Sequence, residues 1–138
     1  MIETTFEYWN KLASHILTIS SLLGGFSIAI IANMLVSDLN SRLSKKIMVA
    51  STLAACFFLI TVFAMTSLIL KTTEGYPLKI IEGDFTFERI LGMSTFFFGT
   101  IALLVIIALA GWTKSKKMGL FTTVAGVLTL ILIMILMT

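Results

Sequence analysis

Four long stretches of this chain carry no ionised side chain, and that fact narrows its possible folds more than any other. The 10 basic and 7 acidic residues fall in four clusters, Glu3 to Lys11, Asp38 to Lys46, Lys71 to Arg89 and Lys114 to Lys117. They leave uncharged windows at 12–37, 47–70, 90–113 and 118–138. A helix rises about 1.5 Å per residue, so each window of 21 to 26 residues is long enough to cross a hydrocarbon core of roughly 30 Å. Barrel strands would be shorter and would alternate apolar with polar residues, and these windows do not. Only 12% of the chain is charged, against about 25% in soluble domains, so lipid is the fitting solvent. The expected fold class is therefore all-α. We read one transmembrane domain, 1–138, with spans near 12–36, 47–70, 90–112 and 118–137.

The connections carry the punctuation. Residues 1–11 read as an interfacial helix, with Ile2, Phe6, Trp9 and Ala13 on one face and Glu3, Glu7 and Lys11 on another. Tyr8 and Trp9 suit the headgroup level. Ser44 is a candidate N-cap for span 2, and Asp84 or Thr86 for span 3, with Glu88 placed favourably in the first turn. Gly75, Tyr76, Pro77 and Gly83 mark turns, and Trp112 closes span 3 at the interface. No cleaved leader is expected, because two acids and no basic segment precede the first apolar stretch. Cys56 falls inside span 2, where a small buried apolar role is expected. Among the Lys and Arg residues, Arg42, Lys45, Lys46, Lys114, Lys116 and Lys117 lie on one side. Lys11, Lys71, Lys79 and Arg89 lie on the other, a bias that places both termini outside.

The spans offer little to catalysis. They contain no Asp, Glu, Lys or Arg, and the single histidine, His15, stands near the start of span 1. Convergent acids, bases or metal ligands are missing, so neither an enzyme nor a cofactor or metal site is expected. No segment has room for a nucleic-acid module. Proton-coupled transporters usually keep an acid within a membrane helix, and this chain has none there. The expected partners are the bilayer and further copies of the chain.

Span 1 nonetheless has a distinctive face. Thr18, Leu22, Gly25, Ala29 and Asn33 recur three and four residues apart. With Gly24, the small residues permit close backbone approach, either within one protomer or among copies of span 1 around an axis. The Asn33 amide suits a helix–helix hydrogen bond or a ring of amides in a pore. Ala50 and Ala54 give span 2 a small-residue face. Gly92 with Gly99 does the same for span 3, and Gly119 with Gly126 for span 4. The runs Phe57-Phe58 and Phe96-Phe97-Phe98 are expected to face lipid or fill packing gaps.

The segment Ser20-Ser21-Leu22-Leu23-Gly24-Gly25-Phe26, continuing to Asn33, resembles the pore helix of the Orai family of calcium channels. Thr66-Ser67-Leu68-Ile69-Leu70 and the third-span residues Glu88, Ser94-Thr95, Gly99-Thr100 and Trp112-Thr113-Lys114 extend the likeness. The resemblance implies a hexamer with the first helices around the axis. By position, Thr18, Leu22, Gly25 or Phe26, Ala29 and Asn33 would then line the pore. The chain departs from the family at three positions. The selectivity glutamate falls on Asn33, the basic residue below the gate on Thr18, and the acid inside the third helix on Ile106. Asp38 could place negative charge at one mouth. Family members keep both termini cytoplasmic, the reverse of the charge count. The expected function is an oligomeric, channel-like membrane protein that is weakly cation-selective at most. The alternative is a non-conducting accessory subunit of a larger membrane partner.

Overall fold

The computed structural model describes residues 2–37 and 40–138, and among them the chain is four long helices without a strand. They are α1, Ile2–Val36; α2, Arg42–Thr72; α3, Thr86–Trp112; and α4, Lys116–Met137, with a short 3-10 helix at Glu82–Phe85. All four are long and apolar enough to cross a membrane. Helix is the form these windows must take, because in lipid each backbone N–H and C=O has to find its partner within the segment.

No break separates residues 2–11 from the first span. At 35 residues, α1 reaches roughly 50 Å, so its charged first turns continue out of a core of roughly 30 Å as the same rod. The caps also differ from the sequence expectation. Ser41, not Ser44, caps α2: its hydroxyl accepts from the Ser44 amide at 3.0 Å, and the helix starts one residue later, at Arg42. Neither Asp84 nor Thr86 caps α3. Phe85 holds that position without a side-chain bond, while the Asp84 carboxylate accepts from the Ile81 amide at 3.0 Å and organises the preceding 3-10 turn. After α2 the chain turns at Gly75, whose φ of +88° is a conformation that side-chain-bearing residues rarely adopt.

The helices pack in chain order. α1 lies along α2, α2 also lies along α3, and α4 packs chiefly on α3. The arrangement is an open row rather than a closed bundle, and burial follows from it. Eleven of the 31 residues of α2 are buried, against two of the 22 in α4. At the centre Phe58, fully buried, sits between two glycines, Gly24 of α1 and Gly99 of α3. A methyl group added at Gly99 would lie 2.9 to 3.2 Å from three ring carbons of Phe58. Phe58 is thus a packing wedge, not a lipid-facing side chain. Ala50 and Ala54 pack beside it in a cluster with Ile47 and Ile106. Gly92 receives Met65 from α2. The α3–α4 turn is held by Gly119 beneath the Trp112 ring, and the Trp112 indole donates to Thr123 at 3.1 Å. Thr122 donates to the Ala108 carbonyl, also at 3.1 Å, and Gly126 sits near the Leu104 carbonyl.

Because successive helices run in opposite directions, the loops sort by end. One end carries the 37–41 connection and the 113–115 turn, with six basic residues and one acid, a side-chain charge of +5. The other carries the N-terminus of α1 and the 73–85 connection, with four basic residues and six acids, a charge of −2. Together they make the chain's +3.

Candidate functional site: the outward face of the first helix

Helix α1 turns about 100° per residue, so its side chains divide between two faces. Ala13, Ile16, Ser20, Gly24 and Ser27 are buried, chiefly along the seam with α2. Thr18, Leu22, Gly25, Phe26, Ala29 and Asn33 are all exposed. Leu22 and Phe26 retain 61% and 64% of their accessible surface, so nothing in this chain covers them. Adjacent glycines divide the same way: Gly24 packs against Phe58, while a side chain at Gly25 would meet nothing within 4 Å. The stripe that could have been an internal packing face is therefore the uncovered one.

The polar groups of this face are unequally served. Thr18 and Ser21 donate to carbonyls four residues back, at 2.9 and 2.8 Å, which hides their hydroxyl protons from lipid. The Asn33 amide has no hydrogen-bond partner among the described residues. It stands at the rim of a groove bounded by the end of α1, the start of α2 and the end of α3. Asp38, the candidate mouth residue, lies outside the described residues.

The acidic end is more tightly closed. Asn10, which sequence reasoning passed over, reaches across to α2. Its amide donates to the Ile69 carbonyl at 3.2 Å and to the Thr72 and Thr73 hydroxyls at 3.0 and 3.3 Å. Ile69 sits in the last turn of α2, where carbonyls lack helical partners. Arg89 lies 4.8 Å over the Trp9 ring, and Phe6 meets Phe85 edge to face. Lys71 pairs with Glu88 and donates to the Asp84 carbonyl at 3.0 Å, fastening the loop to both helices. His15 is exposed on α1. Cys56 is exposed on α2 rather than buried as expected, because it faces away from both neighbouring helices. Among the described residues no three His, Cys, Asp or Glu side chains converge as a metal site would need.

These features define an integral, multi-pass, all-α membrane protein with one uncovered helix face of mixed polarity. No family model matches the chain, and no curated protein or solved structure matches it.

Proposed function

We propose that the protein is a homo-oligomeric, channel-like membrane protein in which copies of α1 surround a central axis. The observation that carries this reading is the outward face of α1, with an Asn33 amide that has no partner among the described residues, two hydroxyls and two small residues. Asn33 lies in the last turn of α1, at the rim that Lys114 and Ser41 also line, so its amide is suited to water, a headgroup or a neighbouring copy rather than to hydrocarbon, where an unmet amide costs several kcal/mol. The contrast with α4 supports it: α1 is less apolar than α4, and α4 is the least buried. Lipid suits α4, and protein or water suits α1. The Orai-like segment of α1 implies the same placement, with six chains around the axis.

In such a ring Asn33 forms a belt of amides at one end, and Leu22 and Phe26 form an apolar constriction deeper in. Uncharged rings discriminate weakly among ions by field strength, so the pore is weakly cation-selective at most. Six Lys and Arg against four favour an orientation with the +5 end in the cytoplasm and both termini outside, the reverse of the orientation that the Orai resemblance implies.

Particle mass and cross-linking test the assembly. With Cys56 replaced by serine, Leu22→Cys, the one thiol per chain, is expected to give disulfide-linked dimers under oxidation within a particle of closed-ring mass. In liposomes Asn33→Asp is expected to raise cation flux, and Leu22→Ser to raise flux without selectivity. A monomer with no flux in any variant overturns the pore. A one-to-one complex with a different protein assigns the same face to a larger partner, the accessory role.

A further inference from the structure

We propose that the groove at the basic end of the molecule is a binding site for one anionic phospholipid. Its phosphate would lie beside Lys114 and Ser41, and an acyl chain along Ile30, Met34 and Ile47. The inference does not depend on the pore.

The groove encloses about 890 Å³ between three helices, and its lining changes character along its length. Towards the loops it presents Lys114, Ser41 and Trp112, and deeper it presents aliphatic side chains from α1 and α2. A ligand with a charged head and a hydrocarbon tail matches both parts, whereas a free anion matches only the rim.

Charge complementarity selects the sign. At the acidic end three of the four cations have internal counterparts: Lys11 with Glu7, Lys71 with Glu88, and Arg89 with the Trp9 ring. At the basic end no Lys or Arg is ion-paired among the described residues, although that end carries +5. Such a surplus beside an apolar cleft between membrane helices attracts anionic headgroups. Trp112 suits the same depth, with its ring at the headgroup boundary and its indole N–H already donated to Thr123.

Native mass spectrometry of the full chain tests this, using micelles doped with equimolar phosphatidylglycerol and phosphatidylcholine. Phosphatidylglycerol is expected to remain bound in preference to phosphatidylcholine. Lys114→Gln should lower its retention about fivefold. Lys45→Gln removes an exposed charge from the same end but outside the groove, and should change retention less than twofold. Ala110→Trp keeps every charge and fills the cleft from an exposed lining position, and should abolish retention. Millimolar inorganic phosphate should not displace the lipid. The proposal is overturned by equal retention of both lipids, by equal losses in Lys114→Gln and Lys45→Gln, by an Ala110→Trp chain that melts normally and still retains lipid, or by displacement with phosphate.

Discussion

The hydroxyls of Thr61 in α2 and Thr95 in α3 lie 2.8 Å apart, buried midway along the seam between the two helices. Each also reaches a carbonyl of its own helix, Phe57 for Thr61 at 2.9 Å and Leu91 for Thr95 at 2.8 Å. One hydroxyl can therefore donate to the other while the second donates to its own backbone, and no polar atom of the pair is left to lipid. Thr61→Val and Thr95→Val, singly and together, form a double-mutant cycle. A coupling of about 0.6 kcal/mol is expected, the usual strength of such bonds inside membranes. Unfolding in mixed micelles measures it, and a coupling indistinguishable from zero removes this bond from the account.

Glycines separate folding from assembly. Gly99→Leu drives a side chain into Phe58 and should destabilise the protomer by about 1–3 kcal/mol, as overpacking does. Gly25→Leu meets open space in the protomer, so its melting temperature should not change. If copies of α1 meet around an axis, Gly25→Leu instead disrupts the oligomer or its flux. Thermal melts paired with particle mass give both answers.

Ser20 is fully buried, and its hydroxyl has no hydrogen-bond partner. Ser20→Ala removes an unmet polar group and should leave stability unchanged or raise it by about 1 kcal/mol. Ser51→Ala, at another buried site where the hydroxyl donates to the Ile47 carbonyl at 2.8 Å, is the comparison. A loss at Ser20 larger than at Ser51 contradicts this assignment.

Two ion pairs should differ in weight. The Lys11 and Glu7 side chains are 71% and 65% exposed, and breaking this i,i+4 pair should have no measurable effect on stability. The Lys71 and Glu88 side chains are 25% and 16% exposed, and Lys71 also holds the Asp84 carbonyl. Lys71→Met should cost about 1 kcal/mol or more and expose the 73–85 connection to protease. Denaturation curves and limited proteolysis of the two variants, side by side, check the ranking.

Much of this was legible in the residues because lipid imposes a simple rule. Stretches without charge, long enough to cross, have to be helices, and the structure adds that each helix begins before its uncharged window. The glycines at 24, 92, 99 and 119 were visible as small residues, but their partners were not. Phe58, Met65 and Trp112 fill them from other helices, and no spacing along one helix reveals which large side chain arrives from another. The caps slipped for a local reason. Ser41 and Ser44 share the same chemistry, and the choice between them turns on where the 37–41 connection lets α2 begin. Asn10 was missed because its partners lie 59 to 63 residues away.

The sequence by itself determined the solvent, the number of crossings, their alternating directions and the division of charge into a +5 end and a −2 end. Each follows from the cost of placing an ionised group or an unmet backbone in hydrocarbon, which acts on every segment independently of the others. Only the tertiary structure decided which face of each helix is covered. The order of packing leaves Thr18, Leu22, Gly25, Ala29 and Asn33 outward, turns Cys56 to the outside and opens a cleft beside Lys114. Those outcomes depend on how Phe58, Met65 and Trp112 fit the glycines opposite them, and shape complementarity between helices is a property of pairs, not of any one stretch of chain.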